Sequence, residues 1–462
     1  MDKSNVSGGS AAKFVIMSLV GVFLFMALLP DGDAFNIPLG FAINWVGLTL
    51  NDIEVNGFGL VFLLALIVIT VSLLGTVLTY VAKPGFIMEN EKLRNLFLSH
   101  PVYFVSKVVG AAVAWMVYLG VGPDWLIGWE GGRLMMDLIA GGGSGSNLMT
   151  IFIVVGLAIP ILTDFGLMEF LGVLIRKVVR FLFTLPGRAS IDLLGSWFSS
   201  SAASVIITRD QHEKGYYTGR EAAAICVNFT LVSLPFTFVV ASTIDLQAHF
   251  LLFYLIICFT AIVLAVIMPR IPPLRWIKDE YLPEVGKQIK EDEVQKGSLV
   301  REALVQATAR ADSTTAASVV KSGLSNWLNI FMDLIPVILA WGTIALIVEA
   351  QTPIFDWLGM PFGLLLNVLQ VPGGADYGFI TVVGFVDMFL PAILLGTDTY
   401  IETRFILGAL SIVQIIYLAE TGILILKSKI PLNIGHLAVV FLIRTIIALP
   451  IIVLLTHLLF NP

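Results

Sequence analysis

Several runs of roughly 20 apolar residues recur along this chain, each long enough to cross a bilayer core of about 30 Å as a helix. Inside lipid every backbone polar group must be satisfied within the chain, so spanning segments fold as helices or closed barrels. Runs of this length fix the choice as helices. Hydrophobic residues make up 57% of the 462 positions and charged residues 13%, with a mean hydropathy of +0.92. That is about half the charge of a soluble domain. A soluble enzyme is excluded on these grounds. The net charge of −6 is spread along the chain, so nucleic acid is not an expected partner. The first apolar run, Ala12 to Leu29, is too long for a signal-peptide core and has no small-residue cleavage site after it, so it reads as a retained helix. Cys226 and Cys258 lie inside apolar runs and read as small core residues, not as a disulfide or metal pair.

In chain order, spans are expected at about 12–30, 58–82, 101–121, 148–164, 220–243, 249–269, 327–349, 404–426 and 433–457. Asp31, Asp33, Asp52 and Glu54 follow the first span without Lys or Arg, whereas Lys83, Lys92 and Arg94 follow the second. The positive-inside rule then places the N-terminus and residues 83–100 in the cytoplasm. Residues 166–184 carry Arg176, Lys177 and Arg180 among Leu, Val and Phe, the pattern of a helix lying at the cytoplasmic headgroups. The alternative is one long tilted helix over 148–184. The long polar stretch 270–325 is expected to be cytoplasmic and helical in part. The chain divides accordingly into scaffold helices (1–145), a first repeat (146–269), the polar loop (270–325) and a second repeat (326–462).

The two repeats rest on four weak matches in one order. Glu169-Phe170-Leu171-Gly172 resembles Asp356-Trp357-Leu358-Gly359, Pro186-Gly187 resembles Pro372-Gly373, and Thr208-Arg209-Asp210 resembles Gly396-Thr397-Asp398. Ile159 to Asp164 resembles Ile344 to Glu349 in the same way. Each half reads as span, interfacial helix, re-entrant hairpin, span, span. The second interfacial segment, 353–371, has no Lys or Arg, so the halves are expected to be inverted across the membrane. The hairpins fall at about 189–208 and 376–396. Keeping the first re-entrant leaves the basic 270–325 loop inside.

A hairpin arm of about ten residues rises roughly 15 Å, half the bilayer core. The tips therefore fall near Ser199-Ser200-Ser201 and near Asp387. Hairpin tips leave helix-end groups unpaired, serine hydroxyls donate and accept, and an intramembrane carboxylate is costly enough to be functional by default. Ser199, Ser200, Ser201 and Asp387 are thus candidate solute-binding residues, together with Asn228, Gln414 and Tyr417 on the spans that follow the hairpins. Asn228 and Gln414 are amides in apolar runs and need either a solute or a neighbouring helix as partner. Asp164, Glu349, Asp387 and Glu420 are candidates for ion coupling. Arg444, deep in the last span, needs a partner, for which Glu420 is available. Arg209, Asp210, Arg220 and Glu221 read as an ion-pair cluster closing the first hairpin.

From Gly195 to Phe236, the Ser-Ser-Ala-Ala, Thr-Arg-Asp and Arg-Glu-Ala-Ala-Ala-Ile-Cys-Val-Asn-Phe-Thr strings resemble the Gate domain of bacterial nucleoside transporters, the ferrous-iron protein FeoB and some sporulation membrane proteins. Most of 145–460 resembles the YjiH family of bacterial inner-membrane proteins. The resemblance implies an all-α polytopic membrane protein with about nine transmembrane helices. Two re-entrant helical hairpins and two interfacial helices would form an inverted repeat, similar to concentrative nucleoside transporters. It implies secondary transport of a small polar organic solute coupled to Na⁺ or H⁺, or a Gate-domain accessory role beside a partner protein. Nucleoside transporters carry a Ser/Thr-Glu pair in each hairpin. Here the first tip has serines without Glu and the second has Asp387, so a nucleoside is not fixed as the solute. No Gly-x-x-x-x-Gly-Lys-Ser/Thr string is present, which removes the GTPase energy source of FeoB. Nor is there a His-Glu-x-x-His or nucleophile motif for an intramembrane enzyme. The expected setting is the bacterial inner membrane. Lipid, a small solute and further copies of the chain are the expected partners, and no cofactor is expected other than Na⁺.

Overall fold

A computed structural model describes residues 8–31, 34–55, 57–98, 101–128, 131–141, 147–187, 189–190, 193–194, 201–229, 234–287, 298–397 and 399–460. The principal helices are α1 (Gly8–Met26), α2 (Pro38–Asn51), α3 (Leu60–Val81), α4 (Pro101–Leu119), α5 (Gly132–Ala140), α6 (Leu148–Thr163) and α7 (Leu167–Phe183). They continue as α8 (Ser201–Glu213), α9 (Gly219–Asn228), α10 (Leu234–Thr243), α11 (Phe250–Ile267), α12 (Leu299–Ser313) and α13 (Ala316–Asn329). The last are α14 (Ile335–Gln351), α15 (Ile354–Val368), α16 (Ile380–Val383), α17 (Leu390–Leu395), α18 (Ile401–Gln414) and α19 (Ile434–Phe460). Two π-helical turns, Ile330–Leu334 and Leu418–Gly422, interrupt the α-helical pattern. The chain is a multi-span helical membrane protein.

Among the described residues five helices are long and apolar enough to cross a bilayer, or up to seven if each of two bent pairs is one span. One bent pair is α6 and α7, set at 59° to each other. The break carries Gly166 at φ +97°, so 148–184 is not one long tilted helix, and α7 stands as the separate amphipathic element its charges imply. Two expected spans are discontinuous, and this accounts for the lower count. The first, over 220–243, stops at Asn228, with Phe229 as a non-helical cap; residues 230–233 lie outside the described residues, and helix is described again over Leu234–Thr243. The second, over 404–426, stops at Gln414, and Ile415 takes φ +66°. Ile416 N–H donates to the Gln414 carbonyl at 2.7 Å across that residue. This tight turn is strained, and for a β-branched side chain it is an outlier that needs support from its surroundings.

The molecule packs as two compact units. One comprises the described residues of 36–158 and 320–358. Its core is α3, α4, α5 and α14, with Ser72 Oγ donating to the Met332 carbonyl in the π turn and Trp341 Nε1 donating to Ser106 Oγ at 3.1 Å. The other comprises the described residues of 1–35, 159–319 and 359–462. Both units draw on separate parts of the chain.

Within the larger unit, α12 from the polar loop packs on α1 and α7. Its Ala303, Ala307 and Ala311 are fully buried, and these small side chains let the rings of Phe14 of α1 and Phe170 of α7 meet at a tilt, centroids 5.5 Å apart, against them. Charges rim the contact. Arg176 pairs with Glu302 at 3.0 Å, and Arg310 lies 3.5 Å from Asp164 and 3.7 Å from Glu169. Lys13 donates to the Thr314 carbonyl and Ser10 to Asp312 at 2.9 Å. The N-terminal helix and the polar loop, which the charge rule assigns to the same side, are therefore in contact.

A Cβ on Gly166 would stand 2.3 Å from the Ala307 carbonyl oxygen, whereas one on Gly57, also left-handed at φ +78°, would meet nothing within 4 Å. Gly57→Ala should cost about 1–2 kcal/mol, the left-handed backbone term alone. Gly166→Ala should lower the thermal unfolding midpoint in detergent clearly further, because α12 must also move. Equal shifts for the two variants would contradict this close approach.

Candidate functional site at two broken helices

Asn228 and Gln414 are the last residues of α9 and α18. They stand at the same offset as Pro186 and Pro372, as do Val227 and Val413 before them. The repeat thus extends to two helix ends, each closed by an amide and followed by non-helical backbone. The start of α9 is fixed by a capping box, in which Thr218 Oγ1 accepts from Glu221 N–H and the Glu221 carboxylate accepts from Thr218 N–H. This arrangement satisfies two otherwise unpaired donors. Arg220 donates to the carbonyls of Ile277 and Arg275, both at 2.8 Å. Arg209 pairs with Asp210 at 2.9 Å and with Glu213 at 3.8 Å. Of the four charged residues expected to form one cluster, Arg209 and Asp210 pair on α8, while Arg220 and Glu221 secure the start of α9.

Both helix ends converge on α19. Arg444 is fully buried. Its Nε and Nη2 donate to the Val413 carbonyl at 3.1 and 2.6 Å, and its Nη1 donates to the Val227 carbonyl at 3.1 Å and to Asn228 Oδ1 at 2.8 Å. The last carbonyls of a helix have no partner within it, and the helix end carries roughly half a negative charge. Two such ends present about one negative charge to one guanidinium. Asn228 completes its own bonding by donating from Nδ2 to the Ala224 carbonyl at 2.9 Å.

The adjacent residue, Thr445, serves the second amide. Gln414 Nε2 donates to Thr445 Oγ1 and to the Thr381 carbonyl, both at 2.8 Å. Gln414 Oε1 is buried with no hydrogen-bond partner among the described residues. It lies against Gly384, where a Cβ would stand only 2.3 Å from it.

Gly384 opens the break between α16 and α17, which pack on each other as the arms of the second hairpin. Within the break the Phe385 carbonyl accepts from Leu418 N–H at 2.9 Å, tying it to the interruption after α18. The Phe385 ring meets Phe441 of α19 at a tilt, centroids 5.0 Å apart, and Phe389 meets Phe236 of α10 edge to face at 5.9 Å. Asp387 is buried here and accepts from Phe389 N–H at 2.8 Å, just before α17. Tyr417 is fully buried, its hydroxyl 2.9 Å from the Ser411 carbonyl and 3.0 Å from that of Ile412.

The candidates therefore separate. Asn228 and Gln414 share neighbouring residues of α19, Tyr417 follows Gln414 in the same interruption, and Asp387 sits in the facing break that Phe385 ties to Leu418. Ser199 and Ser200 lie outside the described residues, as do the side chains of Ser201 and Glu420. The partners the structure gives Arg444 are Asn228 and two carbonyls. Asp164 is held at the α6–α7 break by Arg310, with Thr163 Oγ1 donating to it at 3.2 Å. Glu349 is exposed and belongs to the other unit. Among the described residues no group of three or more His, Cys, Asp or Glu could hold a metal ion. Thr381, Gly384 and Thr445 escape the sequence reading. The adjacent polar pair Arg444-Thr445 in an otherwise apolar helix was the available signal for the last.

Residues 146–247 match the Gate family, described as nucleoside recognition. This match covers α6 to α10, including Asn228 and the break after it. The protein BpOF4_10220 of Alkalihalophilus pseudofirmus is 41% identical over 455 residues, which cover 97% of this chain and 94% of that protein. The chain belongs to the same family as BpOF4_10220. Solved structures of CNTnw also align along nearly the whole chain. The inward-facing, substrate-bound state covers 98% of both chains at 14% identity with a TM-score of 0.43. A single-residue variant of CNTnw in its intermediate 3 state covers 97% of this chain and 98% of that one, at 14% identity and a TM-score of 0.42. At these scores the likeness carries no functional argument.

The Gly384–Gln414 contact can be tested by a double-mutant cycle. Gly384→Ala alone should lower the unfolding midpoint, because the new methyl displaces the Gln414 side chain and breaks its bonds to Thr381 and Thr445. In a Gln414→Ala background the same glycine change should cost much less, giving a coupling of about 1–3 kcal/mol. Additive effects would show that the two residues do not touch.

Proposed function

We propose that this chain is a secondary active transporter of the bacterial inner membrane, with its N-terminus in the cytoplasm. Its solute is a small polar organic molecule of the nucleoside, amino acid or dipeptide class, coupled to Na⁺ or H⁺. The observation that carries this reading is the pair of helices broken at repeat-related amides, beside a hairpin break that holds a buried carboxylate. Discontinuous spans with helix ends turned to one place are how transporters build solute and ion sites near the bilayer midplane. The Gate match over the first of these helices supports the same reading. Asp387 is the residue expected to bind solute or coupling ion, with Ser199, Ser200 and Ser201 supplying hydroxyls from the first hairpin. Gln414 holds a buried amide oxygen against Gly384 at the start of the same break.

A second reading is a Gate-domain subunit that works with a partner protein. One observation favours it: Asn228, Tyr417 and Thr445 are all engaged by hydrogen bonds inside the chain. Uptake into proteoliposomes separates the two readings. The transporter reading expects uptake of at least one solute from a panel of nucleosides, amino acids and dipeptides, driven by an imposed Na⁺ or H⁺ gradient. Asp387→Asn should abolish that uptake and leave the unfolding midpoint near that of the parent. A fully active Asp387→Asn protein contradicts the assignment. Lack of uptake or binding across the panel, with co-purification of a membrane partner, favours the subunit.

A further inference from the structure

We infer that the Arg444 guanidinium is a tethered cation, fixed where broken-helix transporters bind a mobile one. Its significance for coupling rests on the transporter reading above, although its test does not. The acceptors around it are the Val227 and Val413 carbonyls and the Asn228 amide oxygen. These are neutral oxygens at two helix C-termini. In discontinuous-helix transporters that kind of oxygen set coordinates the coupling ion. Here a side chain of the protein fills it.

Three features distinguish a cation site from an ordinary buried arginine. First, the acceptors the structure gives Arg444 are all neutral oxygens, whereas a buried charge ordinarily meets an ionic partner; the side chain of Glu420 lies outside the described residues. Second, the negative charge it meets is that of two helix ends, about half a charge each, which one guanidinium balances. Third, the two ends are related by the repeat, through Val227-Asn228 and Val413-Gln414, so the cation lies between equivalent elements of the two halves. A second monovalent cation about 4 Å from this charge would lose about a thousandfold in affinity at an effective dielectric constant near 20. The ion that couples transport therefore binds elsewhere.

The test removes the tethered charge and asks whether a free cation replaces it. Purified protein and the Arg444→Ala variant are melted in matched concentrations of choline, sodium and guanidinium chloride, the last at low millimolar, non-denaturing levels. In choline, Arg444→Ala should melt roughly 10 °C or more below the parent, since breaking a buried charge site is strongly destabilising. Guanidinium, and more weakly sodium, should restore part of that loss, and the variant should gain a response the parent lacks. A variant that melts with the parent, or that no cation rescues beyond choline, overturns the inference. If Arg444→Ala folds only when guanidinium is present during extraction, the inference is supported. Arg444→Lys keeps the charge and should fold without gaining a response to free cations. An Arg444→Lys protein that requires added cation, or that fails to fold, shows that guanidinium shape and not charge is what matters, and also overturns it. Because melting is read without solute or gradient, a failed transport assay leaves this result unaffected.

Discussion

The bonds from Arg444 to the carbonyls of Val227 and Val413 hold together the part of this protein that has the features of a site. Breaking a helix inside a membrane leaves carbonyls without partners, and lipid supplies none. This chain breaks two, at equivalent places in its two halves, and answers both with one buried guanidinium. Asn228 and Thr445 then carry the same logic outward. The first gives the guanidinium an amide oxygen, and the second receives the Gln414 amide. Gln414 in turn reaches the second hairpin through Thr381 and Gly384. The strained turn at Ile415 is tolerable because these contacts, and the Phe385–Leu418 bond, fix its neighbours.

The surrounding unit is organised to keep that arrangement in place. α19 packs on α18 and α11, and α11 packs in turn on α7, α9 and α10. Aromatic contacts from Phe236 and Phe441 brace the hairpin break from two sides. Farther out, the polar loop contributes α12, whose alanine face clasps α1 and α7 and whose Arg310 spans Asp164 and Glu169. That ion pair is half-exposed on the arginine side and is worth no more than about 1 kcal/mol. The clasp therefore depends on close packing at Ala307 more than on charge.

Much of this was legible in the sequence. The apolar runs gave the membrane class, the basic face of 166–184 gave a separate helix α7, and the repeat placed Asn228 and Gln414 on matching spans. The breaks themselves were harder to see. Ile415-Ile416-Tyr417 carries no breaker, because its turn is imposed by tertiary bonds and not by local preference. Buried charges usually pair with opposite charges, but the acceptors the structure gives Arg444 are two carbonyls and an amide oxygen. Helix-end carbonyls carry no sequence signature, so a site made of them is invisible until the helices are seen to stop. Likewise, the role of α12 as a packed bracket cannot be read from its mixed charge; it follows from three alanines spaced along one face.

The most direct measurement is an experimental density map of the protein in a lipid nanodisc, at a resolution that separates side chains around residue 444. The account predicts continuous density from the guanidinium to the Val227 and Val413 carbonyls and to the Asn228 amide, with both helices ending at those residues. An unbroken helix through residue 415, or an Arg444 turned away to a carboxylate with an ion or water between the two carbonyls, would contradict it.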